Sequence, residues 1–126
     1  MSGNKIIFTI GDVQIKAQLR DTSTAKNIAN ALPINSSAQT WGEEVYFSVP
    51  VDADLENDAK SVVDAGEIAL WVEGNCIAIG FGPTPISQGN EIRLAAETNI
   101  WADAIDDVTS LKSIEPGASI TVDWKK

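Results

Sequence analysis

The sequence predicts a mostly β fold: a small closed β-barrel of about eight strands with one short α-helix, in a single domain spanning residues 1–126. Three observations predict it. Short runs of alternating apolar and polar residues recur along the chain, bounded by Gly, Asn, Asp or Pro. Clear helical spacing occurs in one place only. No internal repeat, low-complexity stretch or linker divides the 126 residues, a length near the commonest single-domain size and enough for one real core. A closed sheet then removes the exposed edges that an open sheet of this size would have to protect.

Ile6 to Ile10 are rich in β-branched and aromatic side chains. After Gly11-Asp12, the run Val13, Ile15, Ala17, Leu19 alternates with polar neighbours, so the two segments form a hairpin with one wet face. From Asp21 the pattern changes. Thr22 or Ser23 caps a helix, in which Ala25, Ile28, Ala29 and Leu32 recur at helical spacing until Pro33 stops it. Trp41 to Val51 reads as a strand with Val45, Phe47 and Val49 opposing Glu44, Tyr46 and Ser48, and Pro50 marks its end or an edge.

The acidic segment Asp52 to Asp64 is either a helical turn or a loop leading to a strand. The clearest hairpin runs from Glu67–Val72 through Glu73-Gly74-Asn75 into Cys76–Phe81, with Gly74 or Asn75 taking the positive φ of the turn and both arms buried. Next, the two prolines of Gly82-Pro83-Thr84-Pro85 remove backbone donors and fix φ, so the chain leaves the sheet as a rigid loop. Ile92 to Ala95, Asn99 to Ile105 and Ser119 to Trp124 bring the strand count to seven or eight.

Composition narrows the function. Eighteen acidic against nine basic residues give a formal charge of −9, which repels nucleic acid and anionic membranes, and no basic cluster interrupts it. Neither partner is expected. Cys76 is the only cysteine, so no internal disulfide forms, and no signal or anchor segment stands out; a cytoplasmic protein is expected. The absence of histidine excludes Ser-His-Asp and Cys-His catalysis and almost every catalytic zinc arrangement.

Carboxylates, lysines and Tyr46 remain for acid–base work. Glu43 and Glu44 are adjacent on a strand, so at most one of them faces a given pocket. Asp52, Asp54, Glu56 and Asp58 lack the glycine and spacing of a calcium loop, and with Asp103, Asp106 and Asp107 they read as solvated surface. No metal site and no cofactor is expected.

Four fragments, Trp41-Gly42-Glu43-Glu44-Val45-Tyr46-Phe47, Gly66-Glu67-Ile68-Ala69-Leu70-Trp71, Glu73-Gly74-Asn75 and Phe81-Gly82-Pro83-Thr84-Pro85, together resemble the small prokaryotic cyclophilin-like family. The resemblance spans Lys5 to Trp124. It implies a closed eight-stranded barrel like that of cyclophilin, and it speaks to fold rather than function. Cyclophilins that isomerise prolyl bonds carry an arginine in a Phe-His-Arg motif and a Met-x-Gln-Gly-Gly-Asp stretch. This chain has neither, and its two arginines, Arg20 and Arg93, sit in other contexts, so isomerase activity is not carried over.

The leading expectation is a non-catalytic module that binds a small molecule or a peptide, with no catalytic residue assigned. Trp41, beside Gly42 at a strand entrance, and Tyr46 supply aromatic surface, while Glu44 supplies a carboxylate. Phe81, Pro83, Thr84 and Pro85 form a rigid rim, with Ser87 adding a hydroxyl. Arg93 either pairs with Glu91 or Glu67 or holds an anionic ligand. Core packing is expected of the other tryptophans and of Cys76. Two alternatives stay open: an enzyme in which Glu44 is the base and Arg93 holds an anionic substrate in the same cleft, and a structural homo-oligomer.

Overall fold

The structure is a computed structural model and describes residues 4–125. β1 (Lys5–Ile10) and β2 (Val13–Leu19) form the expected hairpin, with Phe8 opposite Ile15 and Gly11 in the turn at φ +58. Their alternation sends Ile6, Phe8, Ile10, Ile15 and Ala17 inward, where all five are fully buried. The helix α1 (Ser23–Ala31) follows. Thr22 is its cap, accepting a hydrogen bond from the Ala25 amide at 3.0 Å, and Ala25 and Ile28 pack into the core.

After Pro33 come two short strands that the sequence did not announce, β3 (Ile34–Ser37) and β4 (Gln39–Thr40). Only Ile34 and Ala38 are buried here, so the segment is held by ladder hydrogen bonds and its hydrophobic pattern is faint. β5 (Glu44–Ser48), β7 (Glu67–Trp71), β8 (Cys76–Gly80) and β10 (Ser119–Trp124) fall where alternation placed strands. Asn75 takes the positive φ of the β7–β8 turn, at 50°. A short 3₁₀ helix, Val108–Ser113, adds Val108 and Leu111 to the core.

With β9 (Ile92–Ala104), the strands run β3-β10-β1-β2-β9-β7-β8-β5-β4 around the sheet. Only Ala38 separates β3 from β4, so Ile34–Thr40 is one bent stave. Its first half pairs with β10, Ile34 opposite Val122, and its second half pairs with β5, Thr40 opposite Val45. The sheet thereby returns on itself as a barrel of eight staves. Phe8, Phe47 and Trp101 fill the interior, with the Phe8 ring 6.3 Å from Phe47 and 6.0 Å from Trp101.

Ile92–Ala104 is one 13-residue strand, β9, where two strands were expected. Ala95-Ala96-Glu97 contains no turn residue, and Asn99 is a strand residue with a structural task. It is fully buried, accepts from the Glu56 amide at 2.8 Å and donates to Asp54 O at 2.8 Å and Thr24 Oγ1 at 3.0 Å. These bonds fasten the Asp52–Asp58 loop, which turns at Asn57-Asp58 before β6 (Lys60–Val63), and this resolves the two readings of that segment in favour of a loop and a strand.

The second half of β9 belongs to the barrel, whereas the first half, with β6 paired to it, lies against a second apolar cluster. In that cluster Ala69, Ala78, Ile92 and Leu94 pack together with Tyr46. Strand alternation explains the split: Val45, Phe47, Ile68, Leu70, Ile77 and Ile79 point into the barrel, and their neighbours point out of it. Both arms of the β7–β8 hairpin are therefore buried, each face by a different layer.

Near the other end of β9, Arg20 grips Asp103 through two bonds of 2.8 and 2.7 Å and reaches Glu67 at 3.1 Å, and Lys60 meets Glu67 at 2.7 Å. Burial pushes the Glu67 carboxyl up, but the Asp64 amide, Lys60 and Arg20 outweigh it and hold the group below its ordinary value. Among the described residues no helix is long and apolar enough to cross a membrane.

Candidate functional site

A cavity of about 210 Å³ opens outside the barrel wall, between the outward faces of β5, β7 and β8 and the first half of β9. Pairing register builds its floor. Glu44 stands opposite Gly80, Tyr46 opposite Ala78 and Trp71 opposite Cys76, so these side chains share the outward face. Leu94, Ala95, Ala96 and Thr98 of β9 form the facing wall, and Trp41 closes one end. Small residues at 78, 95 and 96 leave the space that larger side chains would fill.

Glu44 is the exceptional lining residue. It is only 6% exposed, and among the described residues its Oε1 has no hydrogen-bond partner. Burial in this apolar surrounding pushes its carboxyl up to about 7. The indole Nε1 of Trp71 is likewise buried without a partner. Two neighbouring polar groups are engaged: the Thr98 hydroxyl donates to Lys60 O at 2.9 Å, and the Cys76 thiol lies 3.3 Å from Gly74 O. Among the described residues no lysine or arginine lines the cavity.

The double-proline loop supports this site without lining it. Gly42, at φ +61, is pressed so closely that an added Cβ would lie 2.8 Å from both Pro85 Cδ and Thr84 Cα. The Glu43 amide donates to Pro83 O at 3.0 Å, and the Phe81 amide donates to Glu43 O at 2.8 Å. Thr84, itself buried, donates its hydroxyl to Arg93 O, while Ser87 Oγ accepts from the amides of Thr84 and Arg93. The loop thus ties the turn carrying Trp41 and Glu44 to the start of β9.

Of the expected site residues, the cavity brings together Trp41, Glu44 and Tyr46. Phe81 packs against the main core, Pro83, Thr84 and Pro85 act one layer behind, and Arg93 is held by Glu91 through a 2.6 Å bond. That ion pair is the first of the two roles expected for Arg93, and Arg93 is not among the residues lining the cavity with Glu44. The neighbouring acids also part company: Glu43 turns to Gly82, where its carboxyl lies in the place of a Cβ.

Sequence reasoning missed Trp71 and the Ala95-Ala96 wall. Trp71 reads as core by composition, and only its pairing with Cys76 puts it on the Tyr46 face. The acidic stretches have local duties. Asp52 accepts from Asn75, Glu56 from the Thr24 hydroxyl, Asp106 from the Lys16 amide, and Asp107 caps the 3₁₀ helix. Among the described residues no three acidic or cysteine side chains gather to hold a metal ion.

Comparison with known proteins agrees with this architecture. A family model described as cyclophilin-like matches residues 4–123. A hypothetical protein from Archaeoglobus fulgidus, solved in solution, is similar at 31% identity with a TM-score of 0.82, covering 98% of this chain and 96% of that one. McbB, solved in complex with tryptophan, shares the fold at 14% identity with a TM-score of 0.62, over 95% of this chain and 44% of McbB. No curated protein matches the sequence. The chain belongs to the cyclophilin-like family.

Proposed function

We propose that this cyclophilin-like chain is a non-catalytic binding module that takes a small amphiphilic molecule into the cavity beside its barrel. One observation carries the reading: a carboxyl oxygen, Glu44 Oε1, is buried among aromatic rings without a partner among the described residues. An unsatisfied buried polar atom costs about 1–3 kcal/mol, and more when charged, so a polar group brought by a ligand recovers what the free protein forgoes. A dry cavity of about 150 Å³ accepts benzene. The larger space here suits one ring with a short polar arm, which favours a small molecule over a peptide. McbB, which shares the fold over part of its length, was solved in complex with tryptophan, an amphiphile of that kind.

A second reading is favoured by the same residue. A carboxyl that titrates at about 7 suits general acid–base work at neutral pH, so Glu44 could move a proton on a bound substrate. The two readings separate on whether a bound compound leaves unchanged. The formal charge of −9 makes nucleic acid and anionic membranes poor partners, and the lone buried Cys76 suits a reducing, cytoplasmic setting.

The test is a screen of ring-bearing fragments by thermal shift, followed by ¹H–¹⁵N spectra. Hits are expected to move the indole signals of Trp41 and Trp71. Gly74→Ala is expected to weaken them, because the new methyl would occupy the position of the Trp71 ring. No response at either indole across the screen would end the reading.

A further inference from the structure

We infer that the cavity selects small organic cations: the ligand is an alkyl- or arylalkyl-ammonium whose charged nitrogen meets Glu44 while its apolar body lies among Trp41, Tyr46 and Trp71. This rests on the binding reading above and names the ligand's chemistry. Glu44 Oε1 is a buried acceptor that bonds to no donor among the described residues, the likewise unpartnered Trp71 Nε1–H included, and an N–H⁺ group satisfies it directly. Three aromatic side chains surround the same space, and ring faces attract cations most strongly where water is excluded. Together, rings and a carboxylate are the chemistry of an aromatic cage.

The alternatives fare worse on charge. An anion would meet Glu44 in a cavity whose described lining holds no lysine or arginine, inside a chain of formal charge −9. A neutral ligand leaves the ionised carboxylate without a countercharge, so it selects the protonated acid instead. The two classes therefore differ in the sign of their pH dependence. The titratable groups that line the cavity with Glu44 are the Tyr46 phenol of β5 and the Cys76 thiol of β8. β7 and β9 bring only Trp71, Leu94, Ala95, Ala96 and Thr98, and Glu43 turns away to Gly82.

An ammonium stays protonated across neutral pH, as lysine does, and binds only the ionised form of Glu44. With that carboxyl titrating at about 7, roughly one molecule in ten is competent at pH 6 and nine in ten at pH 8, so affinity rises about tenfold.

The experiment uses three probes of one size: benzylamine, benzyl alcohol and benzoate. Each is titrated calorimetrically and by the indole signals of Trp41 and Trp71 at pH 6 and pH 8. Benzylamine is expected to bind about tenfold more tightly at pH 8 than at pH 6, benzyl alcohol at least tenfold more weakly than benzylamine at pH 8, and benzoate not at all. Glu44→Gln is expected to abolish the pH dependence, and the wild-type series decides the matter by itself should that variant not fold. Benzylamine affinity that is flat or falling with pH, or benzyl alcohol binding as tightly, overturns the cation inference while leaving the cavity reading intact. Silence of both indoles with all three probes removes the two together.

Discussion

Replacing Glu44 by glutamine tests whether its carboxyl carries the burden the fold implies. A carboxyl that titrates at about 7 when folded and 4.5 when unfolded binds a proton in the native state that the unfolded state has released. Stability then falls as pH rises through that interval, by about 1.4 kcal/mol per pH unit and by about 3 kcal/mol in all. The loss is complete above the folded value and absent below the unfolded one. The glutamine side chain cannot ionise, so this slope vanishes in the variant. Its amide brings unpaired groups of its own and a constant offset, which makes the pH-dependent part of the difference the diagnostic quantity. Urea unfolding of both proteins at pH 4.5, 6, 7 and 8.5 measures it. The variant is expected to gain on the wild type by about 3 kcal/mol from the lowest pH to the highest, with unchanged m-values. A difference independent of pH would refute the reasoning, because it would mean that Glu44 is hydrated in solution and not confined among the rings.

Glu67→Gln is expected to show the opposite sign. The folded carboxyl is held below its ordinary value, so its contribution is present at neutral pH and is lost on acidification; the gap between wild type and variant should be widest at pH 7 and close as the pH falls below 4.5, as melts at graded pH would show. Asn99→Ala removes the three hydrogen bonds of a buried side chain and is expected to cost about 2–4 kcal/mol. Amide exchange should rise at Glu56, and unaltered protection there would contradict the anchoring role. Gly42→Ala adds a methyl against Pro85 and Thr84 at a positive φ, for about 2–4 kcal/mol by denaturant unfolding, with weaker probe binding because Trp41 and Glu44 shift together.

Much of the barrel is legible in the sequence because each stave with one inward face writes its own alternation. Ile6, Phe8 and Ile10, or Val45 and Phe47, could not be read otherwise. The seam Ile34–Thr40 was illegible for the converse reason: its Asn-Ser-Ser run hides no apolar side chain, and it is a strand because β10 and β5 leave edges for it. The site was half legible. Trp41, Glu44 and Tyr46 lie within six residues and advertise themselves, whereas Trp71 joins them only through the register of two strand pairs. The rigidity of the proline loop is legible in its two prolines, and that rigidity serves the turn behind the cavity.

β1 lies beside β10, with Ile6 opposite Trp124. The two ends of the described chain finish side by side, so a short peptide could join them without disturbing any stave. New termini could be cut at Gly89, an exposed position with open space around it. Such a circular permutant would keep every pairing while reversing which half of the barrel precedes the other. The shape would then be a property of the ring of strands, independent of where the thread starts.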